Sequence, residues 1–490
     1  MIKLLFPILL TLVSLKAQSD SLWTKIIGGP PAEFGMIVRQ TQDGDFFVGG
    51  ESLFGSPNYF DLLLFKANTT GDSLWTRTYG GIDSEAFRSI QQTADNGFAL
   101  VGETLSFGAG SSDIWLVKTN ANGDTLWTKT FGGEWDELGG TILQENDSGY
   151  IIVGRTYSFG AGRDDVWLIR ADSLGDTLWT KTFGGDSYDL GLDVQATFDG
   201  GYIILGVTNS YGSGSEDIWL IKTNGDGDHL WDRTYGGADK DIGYSVKQTA
   251  DSGYVIAGRT SSFGGGRYNV WLIRTDDHGE EVWTRTIGGN LHASSREIQI
   301  TDDNGFLVIG TIGTLDSDET RVLLIKVSDE GDIQWTKRYG EIGSSWSGRS
   351  LVQTSDGGIV ITGTVWSQST GHNILLMKTN SSGDALSVTF FHTDLTLPYA
   401  TYFLRNYPNP FNPETTIQFE LPAASNVSVM VYDLAGREVI RLVDGYMEPG
   451  YHQTQWNGRN ASGQNFPSGI YIARLVTPEY TRSIKMLLLK

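Results

Sequence analysis

The stretch Gly-Asp-Thr-Leu-Trp-Thr-Lys-Thr-Phe-Gly-Gly at residues 175–185 decides the fold, because versions of it recur along the chain at one constant spacing. Its tryptophan returns every 52 residues. The seven tryptophans are Trp23, Trp75, Trp127, Trp179, Trp231, Trp283 and Trp335. A period of this length is typical of repeat architectures, so the repeat is the unit to interpret.

One repeat contains four segments with the composition of β-strands. In residues 139–185 they are 139–145, 150–154, 166–170 and 178–183. β-Branched and aromatic residues fill them, and turns rich in Gly, Asn and Asp separate them. Four antiparallel strands in a unit of about this length predict one blade of a β-propeller.

The number of repeats predicts seven blades. A cation marks the third strand of each, at Lys66, Lys118, Arg170, Lys222, Arg274, Lys326 and Lys378. The fourth strand occurs eight times, because Trp23 precedes the first blade and a degraded copy at 385–390 has Ser387 where the next tryptophan is due. We expect the copy around Trp23 to complete the last blade and so to remove an exposed sheet edge.

Composition narrows the class of protein. The 490 residues are 39% hydrophobic and include 63 glycines, which fits a turn-rich, all-β protein. A net charge of −22 argues against nucleic-acid partners and anionic membrane surfaces, which require clustered Lys and Arg. The chain has no cysteine, so disulfides and thiolate metal sites are absent.

The first seventeen residues resemble a secretory signal peptide. Lys3 precedes an apolar run at 4–15 that is too short to cross a bilayer, and we expect cleavage after Ala17. No later stretch has the length of a transmembrane helix. The sequence therefore predicts an exported protein without a transmembrane span.

Two tryptophan series are predicted to be structural. The second series, Trp115, Trp167, Trp219 and Trp271, becomes Leu63, Leu323 and Leu375 in other repeats. Leucine can replace tryptophan in a packed core but not on a stacking platform. The turn with its tryptophan, as in residues 120–127, resembles the tryptophan-docking motif of quinoprotein-type and outer-membrane-assembly propellers. That resemblance supports the fold and implies no cofactor site here, because propellers host unrelated functions.

A carboxylate recurs just ahead of each first strand. Its members are Glu33, Glu85, Glu137, Asp189 and Asp241, and it is missing at Ala293 and Ser345. Two interpretations remain open. These acids could bind Ca²⁺ or Mg²⁺ at one end of the channel, since both ions prefer oxygen ligands. Alternatively they could cap the backbone amides of the neighbouring Gly-Gly turn, which we prefer.

The irregular loops are the predicted binding region. Loops at 52–59, 313–319 and 366–372 depart from the common pattern, and irregular loops on a regular scaffold often carry function. Trp366, Trp346 and Trp135 are the candidate ligand contacts. The six histidines share no repeat position, and no nucleophile motif is present, so we expect a non-enzymatic module that binds glycan or protein. The alternatives are a polysaccharide hydrolase or lyase and a structural scaffold.

The last ninety residues follow a different pattern. Tyr-Pro-Asn-Pro-Phe-Asn-Pro at 407–413 opens a region of short alternating strands that predicts a β-sandwich. Together with Val-Tyr-Asp-Leu-Ala-Gly-Arg-Glu-Val at 431–439, Ser-Gly-Ile-Tyr at 468–471 and the basic terminal strand, it resembles the C-terminal sorting domain of type IX secretion cargo at 404–490. The middle is also similar to the Ig-like domain of flagellar hook-capping proteins.

These resemblances imply a route and a partner. The sorting domain implies export across both membranes to the cell surface or medium, with residues 405–490 engaging the outer-membrane secretion machinery. The predicted organisation is a signal peptide at 1–17, a seven-bladed propeller at 18–392, a linker at 393–404 and the Ig-like domain at 405–490.

Overall fold

The computed structural model describes residues 22–28, 32–53, 59–265, 267–314, 319–341, 343–368, 370–385, 404–421, 424–448, 450–460, 462–478 and 481–489. All regular secondary structure within these ranges is β. The strands of the repeat region are β1 (Trp23–Ile27), β2 (Glu33–Gln40), β3 (Phe46–Ser52), β4 (Asp61–Ala67), β5 (Ser73–Tyr79), β6 (Glu85–Gln92), β7 (Phe98–Thr104), β8 (Asp113–Thr119), β9 (Thr125–Phe131), β10 (Glu137–Gln144), β11 (Tyr150–Thr156), β12 (Asp165–Ala171), β13 (Thr177–Phe183), β14 (Asp189–Ala196), β15 (Tyr202–Thr208), β16 (Asp217–Thr223), β17 (His229–Tyr235), β18 (Asp241–Gln248), β19 (Tyr254–Thr260), β20 (Asn269–Thr275), β21 (Glu281–Ile287), β22 (His292–Ile300), β23 (Phe306–Gly313), β24 (Thr320–Val327), β25 (Ile333–Tyr339), β26 (Ser345–Gln353), β27 (Ile359–Ser367) and β28 (Gly371–Thr379).

These strands form seven four-stranded antiparallel sheets, which confirms the predicted β-propeller. Six blades use four consecutive strands. The seventh consists of β26, β27 and β28 with β1 as its outer strand, and Trp23 of β1 pairs with Lys378 of β28. The first strands β2, β6, β10, β14, β18, β22 and β26 contact one another in sequence, and β2 contacts β26. The ring is therefore closed by the N-terminal repeat copy, as its surplus fourth strand predicted.

Each blade docks a tryptophan onto the next blade. The outer-strand tryptophan lies over a glycine in the turn between the third and fourth strands of the neighbouring blade. A Cβ atom at Gly227 would lie 2.7 Å from the ring of Trp179, so only glycine fits there. The same close approach joins Trp23 to Gly71 and Trp127 to Gly175. The glycines also have positive φ angles, 75° at Gly227, which other residues rarely adopt. The first tryptophan series therefore packs blade against blade.

An ion pair is repeated inside every blade. The third-strand cation reaches the aspartate in the turn between the first and second strands. The pairs are Lys66–Asp43, Lys118–Asp95, Arg170–Asp147, Lys222–Asp199, Arg274–Asp251, Lys326–Asp303 and Lys378–Asp356. The recurrent cation that marks the third strand thus has a structural partner in each repeat.

The C-terminal region forms two sheets. Its strands are β29 (Leu404–Tyr407), β30 (Thr415–Leu421), β31 (Ser425–Asp433), β32 (Glu438–Met447), β33 (Gly450–Trp456), β34 (Gly469–Val476) and β35 (Thr481–Leu488). One sheet has the order β29-β30-β33 and the other β32-β31-β34-β35. A single apolar core that includes Phe419, Val429 and Trp456 joins both sheets. This arrangement is a β-sandwich.

Several predictions concern residues outside the described ranges. They are the signal peptide at 1–17, the degraded strand copy beyond Ala385, the linker up to residue 403, the centres of the 52–59 and 313–319 loops, and residue 369 of the 366–372 loop. In the described part of the chain, no helix has the length and apolarity needed to cross a membrane.

Candidate ligand-binding face and central channel

Antiparallel blades give the propeller two different faces. The connections from second to third strand and from blade to blade lie on one face, which we call the loop face. The tight turns between first and second strands and between third and fourth strands lie on the opposite face, which we call the turn face. The described ends of the three predicted binding loops lie on the loop face.

The recurrent carboxylates lie at the loop-face end of the first strands, and all five are buried. For four of them the structure shows a backbone amide of the preceding Gly-Gly turn as donor. Gly81, Gly133, Gly185 and Gly237 donate their amides to Glu85, Glu137, Asp189 and Asp241 over 2.8 to 2.9 Å. Glu137 and Asp189 also accept hydrogen bonds from hydroxyl groups of Thr156 and Thr208. This is the geometry of a turn cap. No group of three or more potential metal ligands occurs in the described ranges.

Each capping acid faces a second polar residue from the preceding blade. Those residues start the third strands, and Asp113, Asp165 and Asp217 among them are buried. One carboxylate oxygen of Asp165 and one of Asp217 lack a hydrogen-bond partner. Burial, together with the neighbouring Asp189, raises the pKa of Asp165 to about 6. Where Ala293 replaces the capping acid, Asn269 replaces the aspartate. Acids thus stand opposite acids at the blade junctions.

This arrangement predicts a pH-dependent stability with a sign that can be tested. The folded-state pKa of Asp165 exceeds the unfolded value of about 3.9, so stability is lost as pH rises from about 4 through about 6. Asp165→Asn keeps the acceptor for the Ala161 amide and adds a donor for Asp189. We expect this substitution to raise the free energy of unfolding by about 1 kcal/mol at pH 8 and to leave it unchanged near pH 4. Urea denaturation at the two pH values measures the difference.

Asp199→Asn is the matched control with the opposite sign. Partial burial raises the pKa of Asp199, but hydrogen bonds from Thr197 and Lys222 lower it to about 2. Its contribution is present above the unfolded pKa and disappears as pH falls from about 4 to about 2. The variant should lose about 0.5 kcal/mol at pH 8, a small value because the carboxylate is exposed. A destabilising effect of Asp165→Asn at pH 8 would contradict the carboxyl-pair interpretation.

The three candidate tryptophans lie in different environments. Trp135 is 55% exposed and Trp366 is 39% exposed, both on the loop face. Trp346 is fully buried, and its indole Nε1 donates to Ser344 Oγ over 2.8 Å. The ring of Trp346 belongs to the core between the last two blades. The structure therefore leaves Trp135 and Trp366 accessible to a ligand and removes Trp346 from contact with one.

Exposed aromatic side chains concentrate on the loop face. Among the described residues of the propeller these are Tyr59, Phe107, Trp135, Tyr157, Phe159, Tyr188, Tyr211, Phe263 and Trp366, whereas Phe198 is exposed on the turn face. Phe107 and Phe159 cover the buried Trp115 and Trp167 with ring centroids 5.2 and 5.3 Å apart. Trp135 meets Tyr157 edge to face at 6.0 Å. Some of these exposed rings therefore cover the repeat core, and Trp135 with Tyr157 is a pair that does not.

A channel of about 790 Å³ runs along the ring axis between the first strands. Every first strand contains a β-bulge there, where its register against the second strand shifts. The bulges turn one residue per blade toward the channel. Those residues are Met36, Arg88, Gly140, Leu192, Tyr244, Arg296 and Arg349. Side-chain size and charge at this position range from glycine to arginine.

The channel is cationic although the chain is strongly acidic. Its wall carries Arg39, Arg88, Arg155, Lys247, Arg296 and Arg349 against two acids, Asp193 and Glu297. This set was not predicted from the sequence, because its members do not recur in every repeat. A position that varies inside an otherwise regular repeat could have identified the channel residues. An extra residue ahead of Trp346 also shifts Arg349 out of the 52-residue register.

Fold and site together define a seven-bladed β-propeller with an Ig-like β-sandwich. Residues 409–477 match the family of FlgD Ig-like domains. The regulatory protein FlaEY of Caulobacter vibrioides is 22% identical over 259 residues, which is 46% of this chain and 25% of FlaEY. The chain thus spans about a quarter of the length of this curated relative.

Solved structures with the same type of fold include a secretion component and a glycosidase. PorZ, an essential surface component of the type IX secretion system of Porphyromonas gingivalis, is 13% identical with a TM-score of 0.40, over 92% of this chain and 59% of PorZ. The α-L-arabinofuranosidase of Fusarium graminearum is 11% identical with a TM-score of 0.40, over 74% of this chain and 98% of the enzyme. At these identities the likeness concerns the fold alone.

The expectation that this chain is not an enzyme needs correction. Glycosidases and a peptidase are among the solved proteins that it resembles. The expectation rested on the near equivalence of the blades. The bulge positions show that the blades differ from one another where they face the channel. The fold is therefore compatible with catalysis, and the regularity of the repeat is no argument against it.

Proposed function

We propose that this protein is a secreted or cell-surface propeller that binds a glycan on its loop face. The observation that carries the proposal is the one-sided distribution of exposed aromatic residues, of which Trp135 with Tyr157 is the most accessible pair. Flat aromatic surfaces provide large contact areas at low conformational cost. Arg163 adds a polar group at this face, since its guanidinium lies 4.9 Å from the ring of Tyr188 and donates to the Tyr188 hydroxyl.

The C-terminal domain supports the surface location. The Pro-Asn-Pro-Phe-Asn segment and the terminal strand, two motifs of the sorting-domain resemblance, lie side by side. Phe411 exchanges backbone hydrogen bonds with Leu487 and Leu489 at 2.9 and 2.8 Å. The Asn409 side chain donates to the Lys485 carbonyl and accepts from the Leu487 amide. The two motifs thus lie side by side, and we propose that the outer-membrane secretion machinery recognises them together.

Binding to a glycan array tests the proposal. We expect the full chain to bind at least one extracellular polysaccharide, and Trp135→Ala to weaken that binding by up to about tenfold, because a lost aromatic contact is worth about 0.5–1.5 kcal/mol. Phe198→Ala is the control, since it removes an exposed aromatic from the turn face. Equal loss in both variants, or a blank array with binding only to proteins, would contradict a glycan-binding loop face.

The delivery part of the proposal has its own readout. In cells that export the chain, deletion of Thr481–Leu488 should leave the protein inside the outer membrane, whereas Trp135→Ala should reach the surface normally. Accessibility to added protease distinguishes the two locations. Surface exposure of the deleted form would contradict the sorting role.

A further inference from the structure

Two arginines of the central channel have no acidic partner. Arg296 and Arg349 occupy the bulges of the neighbouring first strands β22 and β26. No carboxylate of the described residues lies within salt-bridge distance of either guanidinium, and Nε of Arg349 is buried without a hydrogen-bond partner. A buried, unpartnered guanidinium nitrogen is costly unless something binds to it.

The other channel cations are neutralised. Arg39 lies 2.9 Å from Glu297, Arg88 2.5 Å from Glu103, Arg155 3.1 Å from Asp164 and Lys247 3.8 Å from Asp193. Structural cations of this channel therefore come with an acid. Arg296 and Arg349 are the exceptions within the described residues, and they stand next to each other.

The fold holds the two like charges together. Burial and the neighbouring Arg296 lower the pKa of Arg349 to about 10, so it remains charged at neutral pH. Glu51 attracts Arg349 electrostatically but forms no ion pair with it, and its carboxylate accepts a hydrogen bond from the Phe87 amide at 2.9 Å. An oxyanion bound by both guanidinium groups would therefore relieve their repulsion at short range.

An aromatic ring positions one member of the pair. The guanidinium of Arg296 lies 4.4 Å from the ring centroid of Tyr244, which belongs to the adjacent bulge. Arg259 lies 6.0 Å from the same ring and 5.0 Å from the ring of Tyr268. Stacking of a guanidinium on a ring leaves its N–H groups free at the edge. Arg296 is thus held in place before any ligand arrives.

We propose that Arg296 and Arg349 bind one oxyanion group, a carboxylate, phosphate or sulfate, of a ligand that enters the central channel. Planar guanidinium forks match the paired oxygens of such groups and bind them with two hydrogen bonds each. The channel volume of about 790 Å³ admits a small molecule or the end of a chain. This site is separate from the aromatic surface and does not depend on glycan binding there.

Titration of the full chain with phosphate, sulfate and glucuronate, at constant ionic strength set by sodium chloride, tests the site. We expect one of them to bind with a dissociation constant below about 10 mM and to raise the melting temperature, and its identity distinguishes the three oxyanions. Arg349→Met should weaken this binding about tenfold or more. It should leave the melting temperature without ligand unchanged or higher, because it removes a like-charge contact.

Controls separate a ligand site from general charge. Lys247→Met removes a channel cation that already has an acid partner, so it should change oxyanion binding less than about threefold. Arg349→Lys keeps the charge but loses the two-pronged geometry, and should weaken binding while preserving the fold. Three results would overturn the proposal: no binding of any probe below about 10 mM, equal binding by Arg349→Met, or equal losses in Arg349→Met and Lys247→Met.

Discussion

Trp23→Ala should lower the free energy of unfolding of the propeller by about 3–5 kcal/mol, the range for deletion of a buried tryptophan. Trp23 is 7% exposed, its ring centroid lies 6.2 Å from that of Phe46, and its Nε1 donates to the Thr69 carbonyl at 3.1 Å. It also lies on the strand that closes the ring. The loss therefore weakens both a core and the closure.

Calorimetry of the full chain measures this effect, because the propeller transition can be followed separately from that of the sandwich when the two differ in temperature. Trp366→Ala is the control, since it removes the same number of atoms from a 39% exposed position and should cost less than about 1 kcal/mol. Equal effects of the two substitutions would show that β1 contributes little to closure.

Gly227→Ala should destabilise the propeller by about 2–4 kcal/mol. The added Cβ would meet the Trp179 ring at 2.7 Å, and the residue already has a φ of 75°. Overpacking and left-handed strain each cost about 1–3 kcal/mol.

Gly200→Ala separates these two contributions. Gly200 has a φ of 81° but no atom within 4 Å of an added Cβ. Its substitution should therefore cost only the backbone strain, about 1 kcal/mol. Urea denaturation of both variants gives the difference, which measures the tryptophan docking contact. Equal costs would mean that the docked ring moves aside freely.

The sequence predicted the fold well because its signals are local and repeated. A tryptophan every 52 residues counts blades directly, and the surplus copy at Trp23 predicted which strand completes the last one. The docking of Trp179 on Gly227 needs only these two residues and their spacing. A fold can be predicted from the sequence when the same contact recurs in every repeat.

The candidate site was harder to predict for the same reason. Trp346 resembled an irregular loop residue, yet one added residue ahead of it places its ring in the core. Arg296 and Arg349 gave no pattern, because a bulge changes which side chains face the axis and no local signal separated bulged from regular strands. A site that is created by a register shift within one strand leaves no periodic pattern in the sequence.

The bulges also divide each first strand into residues that pair with the second strand and one residue that faces the channel. The residues on either side of the bulge pair with the second strand and keep the blade intact, whereas the bulged residue has no partner across the ladder. Leucine, methionine, tyrosine and arginine all occupy this position with the same one-residue shift, whereas at Gly140 the shift spans two residues. The ring thus presents seven bulged positions around one axis. Substitution of one bulged residue at a time can change what the channel binds, with little loss of stability in the blades.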